Sequence, residues 1–312
     1  MTIKNQLIIK IVFILGLLTI TSYADQGKLG LRYWHSEGET EWSHCASSAC
    51  GGSDSLGDPT SKLNYSNTKV GIAEIFGSYK FPSAYILMGK YGINIIDNDG
   101  GTFRDQDWVG SNVLFSDTLS DIKNSKVNYY SADLGLVIDK INAGTNITPF
   151  LGYVRYNEKL AAYGLRDTNT GSVSIANSTN VIKNDITWTG FRAGAEVNHN
   201  INKDFNVILN AAYVFGLDAD NKDSHVLRTA GDDLGPAPNI KNIGNGDYGY
   251  MIDILGEYNY STQLRFDFGY RWWMFDTDGG NTKFGPTFAT AFPNRSLKSE
   301  RSGLLIGANY SF

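Results

Sequence analysis

From residue 205 to the last residue, the chain keeps returning to one pattern: apolar or aromatic side chains at every second position. The clearest run is Leu264, Phe266, Phe268, Tyr270, Trp272 and Met274, with Arg265, Asp267, Gly269 and Arg271 between them. Successive strand side chains point to opposite faces, so this is one greasy face and one charged or tiny face. Phe205, Val207, Leu209, Ala211, Tyr213 and Phe215 repeat it, as do Tyr250, Ile252, Ile254 and Tyr258. Upstream, Tyr130, Ala132, Leu134, Leu136 and Ile138 follow the same rule, and Leu304, Ile306, Ala308, Tyr310 and Phe312 close the chain on an aromatic residue. A single such strand fits a soluble sandwich equally well. Many long ones, rich in Tyr and Phe, fit a barrel whose greasy face meets lipid, because closure removes every unpaired sheet edge.

The N-terminus points to export. Lys4 and Lys10 give a basic stretch ahead of a short apolar run over 11–20, and Ser22-Tyr23-Ala24 suits cleavage after Ala24. Residues 1–24 are therefore expected to be a signal peptide and 25–312 the outer-membrane barrel. Removing the two lysines moves the net charge from −5 to −7, which argues against nucleic acid as a partner. Cys45 and Cys50 share one polar stretch. Export permits a disulfide closing a small loop there, with free thiols as the alternative.

Ten strands are expected at 29–42, 61–80, 84–96, 127–138, 145–163, 183–199, 205–217, 248–259, 263–275 and 301–312. The connections alternate strictly between short and long, as in bacterial barrels with tight periplasmic turns and five long extracellular loops. An even count places both termini on the periplasmic side. The inward faces carry Asp133, Glu196, Asp253, Glu257, Asp267, Arg192, Arg265 and Arg271, and the expected role is a plugged interior of paired charges. His35, His44 and His199 are expected at the surface.

Two motifs in the long loops carry chemistry. Asp105-Gln106-Asp107-Trp108 lies in the second and Asp223-Ser224-His225 in the fourth, on opposite sides of the ring. Histidine is the usual general base near neutral pH, and a carboxylate beside it can orient the ring. A facing carboxylate pair can hold a water and share a proton. The alternative is a solvated acidic loop that attracts divalent cations.

These residues resemble the omptins, outer-membrane proteases with a ten-stranded barrel. The likeness rests on Gly100-Gly101 ahead of Asp105-Gln106-Asp107-Trp108, on Asp223-Ser224-His225, and on Ser61-Lys62-Leu63-Asn64-Tyr65, Val127-Asn128-Tyr129 and the Tyr-x-Phe end. It implies a cell-surface endopeptidase in which His225 activates water, Asp223 orients it, and Asp105 and Asp107 help to hold the water. It also implies peptide or protein substrates, lipopolysaccharide as an activator bound near Tyr153, no metal or other cofactor, and a monomer in the bacterial outer membrane. Omptins that prefer dibasic sites carry an acid two residues before the catalytic aspartate; here Asn221 stands there, followed by Lys222. Glu39, Glu41, Asp218 and Asp220 remain as the acids expected to make the mouth attractive to a basic substrate. The rival functions are a catalytically silent adhesin or receptor barrel and a small pore.

Overall fold

The computed structural model describes residues 26–46, 56–97, 100–110, 113–142, 144–168, 171, 174–246 and 248–312. The expected signal peptide and Cys50 lie outside them. Fourteen strands run in chain order: β1 Gly27–His44, β2 Leu56–Lys80, β3 Tyr85–Asp97, β4 Thr102–Val109, β5 Val113–Leu136, β6 Ile138–Asn142, β7 Thr145–Asp167, β8 Ser174–Asn200, β9 Phe205–His225, β10 Ile240–Asn245, β11 Tyr248–Asn259, β12 Leu264–Thr277, β13 Asn281–Phe284 and β14 Ala291–Ser311. Ten of them form an antiparallel transmembrane ring in the order β1, β2, β3, β5, β7, β8, β9, β11, β12, β14, and β14 pairs back to β1. The seam closes down to its ends, where Gly27 and Phe312 exchange backbone hydrogen bonds of 2.9 Å. Among the described residues no sheet edge is left in the ring, as lipid demands.

The alternation sorts the wall into two faces. Leu31, Leu87, Leu134, Leu151, Phe191, Leu209, Ile254, Phe268, Leu304 and Ile306 stand exposed on the outside, as a lipid-facing belt must. Inside, charges meet in pairs. Buried Arg271 on β12 bonds Asp253 on β11 and reaches across the lumen to Glu74 on β2 and the Tyr129 hydroxyl on β5. Arg192 pairs with Asp133, Lys90 with Asp253, and Arg32 with Asp267 and Glu74. Higher up, Arg301 bonds Glu158, Tyr156 and Thr68. Trp34, Tyr129 and Trp273 pack edge-on or tilted around Arg271, with centroids 4.7 to 6.1 Å apart. Burying charge is costly, and pairing of this kind offsets the cost. The sequence-based set of inward charges omitted Arg32, Glu74, Lys90, Glu158 and Arg301.

The wall rises beyond the expected strand ends. β5 begins at Val113 rather than 127, β8 at Ser174 rather than 183, β14 at Ala291 rather than 301, and β9 runs on to His225. β4 replaces β3 between β2 and β5, and β10 replaces β11 beside β9. Much of what reads as loop is therefore β-structure standing above the lipid belt.

Where the wall passes into this upper zone, its inside and outside exchange parity. On β9, Asn206, Ile208, Ala212 and Val214 face inward, but above Gly216 the inward residues are Leu217, Ala219, Asn221 and Asp223. The register shift falls between Thr189↔Asp218 and Phe191↔Phe215, so one extra residue is inserted on β9. This is a β-bulge, and Gly216 takes the left-handed φ of 56° that it requires. Asn67 on β2 and Asn124 on β5 adopt the same φ of 56° at equivalent shifts. Asparagine is one of the few side chains that tolerates it.

Candidate functional site

Asp105-Gln106-Asp107 sits on β4, held flat between two strands. Asp107 pairs in register with Ser61 and Asp105 with Leu63 on β2, while Arg104 on the outer face grips Asp117 of β5 through two bonds of 2.8 and 2.7 Å. The chain enters β4 through Gly101, whose φ of 111° brings it against the β2 bulge; a Cβ there would meet the Ser66 carbonyl oxygen at 2.6 Å. A substituted side chain would push β4 off its seat.

Asp223 is fully buried on β9. Its Oδ2 accepts three bonds, from Trp42 Nε1 at 3.2 Å, the Tyr65 hydroxyl at 3.0 Å and Asn184 Nδ2 at 3.3 Å. Trp42 and Tyr65 come from β1 and β2, across the mouth from β9, so this carboxylate ties the two sides together. Its Oδ1 has no partner among the described residues. Two residues on, His225 is fixed at its backbone by Asn239, which accepts from the His225 N–H at 2.9 Å and donates to its carbonyl at 3.1 Å. Asp107 accepts a bond from Ser61.

The electrostatics link both motifs. Burial raises the Asp105 carboxyl well above the usual range, and the negative charges of Asp107, Asp223 and Asp117 raise it further. Burial also raises Asp107 and Asp223, opposed in each by His225. Burial lowers the His225 imidazole, against the pull of Asp223 and Asp107. Burial thus favours the neutral ring, as a base requires, and opposes ionisation of the carboxyls around it. Asp105, Asp107, Asp223 and His225 share one inward-facing site. Among the described residues no group of three or more His, Cys, Asp or Glu side chains is arranged to hold a metal ion.

The four expected substrate acids stand elsewhere, and that expectation is corrected. Asp218 and Asp220 are exposed on the outer face, because they differ from inward Asp223 by odd numbers of residues above the Gly216 bulge. Exposed Glu39 accepts from Asn64 at 2.7 Å on the outside of β1. Glu41 pairs there with Lys62 at 2.7 Å, while Thr40 and Trp42 point in. His44 corrects a second expectation. It is buried against Trp42, Phe284 and Phe292, and burial lowers its pKa to about 4. Cys45 is disulfide-bonded.

Trp42, Asn184 and Asn239 were not singled out as site residues, and Tyr65 entered only as part of a matching segment. No local signal marks Trp42, Asn184 or Asn239; each is recruited by a contact between distant strands.

A closed ten-stranded barrel with an inward acid–histidine site above its lipid belt defines an outer-membrane β-barrel of omptin-like fold. Among solved structures, the outer membrane protease OmpT from Escherichia coli matches with a TM-score of 0.75 at 13% identity, over 94% of this chain and 99% of that one. The translocator domain of the autotransporter NalP from Neisseria meningitidis reaches a TM-score of 0.39 at 10% identity, covering 99% and 96%. Ail, the attachment invasion locus protein of Yersinia pestis, reaches 0.29 at 11% identity, covering 92% and 99%. The OmpT likeness is one of fold alone; the other two are too distant in shape to inform the site. No family model matches the chain, and no curated protein matches it.

Proposed function

We propose that this protein is an endopeptidase of the bacterial outer-membrane surface, in which His225 takes a proton from water. The resulting hydroxide adds to the scissile carbonyl carbon. The C–N bond then breaks as the imidazolium returns its proton to the leaving amine, giving a carboxylate and an amine. Asp223 holds the imidazolium through its unpartnered Oδ1, since its Oδ2 is already committed to Trp42, Tyr65 and Asn184. Asp105 and Asp107 anchor the attacking water. The observation that carries this reading is geometric: Tyr65, on the strand that holds Asp105 and Asp107 in register, bonds Asp223 across the mouth and so brings the two motifs onto one site. Among the described residues, Glu74, Asp133, Asp253, Glu257 and Asp267 of the lower lumen are each paired with a cation, whereas these three carboxylates are not.

Lipopolysaccharide is proposed as the lipid partner. The outer-face aromatic row Tyr130, Tyr153, Phe191 and Phe215, with centroids 5.8 to 6.4 Å apart, supports it as a flat contact surface. The test is cleavage of a peptide library by full-length protein in lipopolysaccharide micelles, with His225→Ala as control. Loss of cleavage in the variant is the expected result, and unchanged cleavage overturns the mechanism. A wild type that cuts nothing but retains cells or proteins on its loops would favour an adhesin. The pore reading is disfavoured by the Arg271 layer, which crosses the lumen from β12 to β2 and β5.

A further inference from the structure

The hairpin that holds Asp105 and Asp107 carries apolar side chains at its tip, on the rim of the mouth. Val109 is 39% exposed, Val113 59% and Phe115 67%. This hairpin, β4 with the start of β5, belongs to the wall above the lipid belt, so lipid does not account for them. Val109 follows Asp107 by two residues on the same face of β4 and pairs in register with Val113. The register shifts between Asp107↔Ser116 and Trp108↔Leu114, and Phe115 is the extra residue of that bulge. At about 3.3 Å per strand residue, the ledge stands roughly 7 Å above Asp107. On the other rim Leu227, 50% exposed, lies two residues past His225. Ile243, by contrast, stands singly on the outer face of β10. Single exposed apolar residues are ordinary, but an adjoining group beside a cleft marks a contact surface. A polypeptide that reaches Asp107 and His225 must come and go through the mouth, because the Arg271 layer crosses the lumen below. Its arms therefore pass this rim.

We propose that Val109, Val113 and Phe115 form an apolar exosite that grips an aromatic or branched aliphatic side chain of the substrate, two or three residues from the scissile bond. This rests on the endopeptidase reading above. The spacing follows from the height of the ledge, since an extended substrate also advances about 3.3 Å per residue. Contact with such a side chain takes apolar surface of both partners out of water. The contact lies away from the reacting atoms, so it strengthens substrate and transition-state binding alike and acts through KM. Charge selects the occupant. From Thr102 to Asp121 the hairpin carries Asp105, Asp107, Asp117 and Asp121 against Arg104 alone. That balance repels an acidic side chain at the ledge and disfavours an anionic lipid surface there.

The experiment is cleavage of a fluorogenic peptide library, varied two and three residues from the cut bond, by full-length protein in lipopolysaccharide micelles. Phenylalanine, leucine or isoleucine there is expected to exceed serine and aspartate at least about tenfold in kcat/KM, a difference of about 1.4 kcal/mol. The double variant Val113→Ser with Phe115→Ser changes only exposed side chains. It is expected to bring the phenylalanine peptides down to the serine level, the loss appearing in KM. Wild type that cuts both sets equally, or a double variant that keeps the preference, overturns the exosite and leaves the endopeptidase standing. A library left wholly uncut overturns the endopeptidase. In that case, binding of the same peptides by fluorescence anisotropy decides the exosite: a phenylalanine preference that the double variant loses supports it, and equal binding overturns it. Capture of phosphatidylcholine vesicles by wild type in nanodiscs, lost in the double variant, would assign the ledge to a lipid surface and overturn the exosite.

Discussion

The barrel holds two buried polar regions that follow opposite rules. In the lower lumen, Arg271, Glu74, Asp253 and Tyr129 satisfy one another, and each neighbouring cation has an acid within 3.5 Å. In the mouth, Asp105, Asp107 and Asp223 gather beside one histidine, with Asp105 Oδ1, Asp223 Oδ1 and the amides of Asn221 and Asn242 left open among the described residues. Both regions are built from inward side chains of the same strands. The lower one uses its polar groups to hold the wall together. The upper one gathers carboxylates that have no ion pair of their own, a strain that functional sites commonly carry.

The sharpest way to break this contrast is to reverse the parity of β9. Deleting Gly216 would turn Asp223 and His225 outward while leaving the lower lumen intact. The expected outcome is loss of cleavage with retained heat-modifiable migration on gels. His225→Ala, which keeps the parity, should lower kcat/KM by about a hundred- to ten-thousand-fold without altering unfolding. Next in size, Arg271→Met removes the cation that buried Glu74 and Asp253 share, leaving them only Arg32 at 3.5 Å and Lys90 at 3.2 Å. It should cost about 3–5 kcal/mol in urea unfolding from micelles, the expected penalty for stripping one partner from a buried pair.

Asp105→Asn should act in the opposite sense. Its folded pKa is raised, first by burial and then by Asp107 and Asp223. Such a group favours the fold fully only below its unfolded pKa of about 3.9, and that contribution is lost as pH rises through the folded value. At pH 7 the variant should therefore unfold at higher urea than the wild type, the gap should close below about pH 4, and cleavage should slow. A midpoint at pH 7 no higher than the wild type's would refute the claim that this carboxylate is uncompensated. Smallest, Asn239→Ala removes two bonds to the His225 backbone and should slow cleavage by roughly tenfold, at about 1 kcal/mol for one net bond or somewhat more for both. The lower-lumen stability should not change.

The membrane wall was legible because lipid outside and a packed lumen inside impose opposite chemistry on alternate residues, as Leu264 to Met274 display. The upper wall was not, because there both faces meet water or polar neighbours. Stretches such as Ser174 to Lys183 or Asp218 to Ser224 carry no contrast between faces. The two motifs were visible as residue types and spacings. The acids around them were misplaced because Asp218 and Asp220 read as loop residues with no face to assign, and Glu39 and Glu41 alternate on β1 with the inward Thr40 and Trp42.

By itself, then, the sequence determined a lipid-facing barrel of alternating strands and the chemical identity of an Asp–His pair and an Asp–Asp pair. Only the tertiary structure decided which acids face the cleft. Inside and outside on a strand are a matter of parity, and one bulged residue, stabilised by contacts between neighbouring strands, reverses it. The same folding brought Trp42 and Tyr65 across the mouth to Asp223 and turned Asp218 and Asp220 away from it. Closing the ring sets both, because the inward direction exists only once all ten strands have paired.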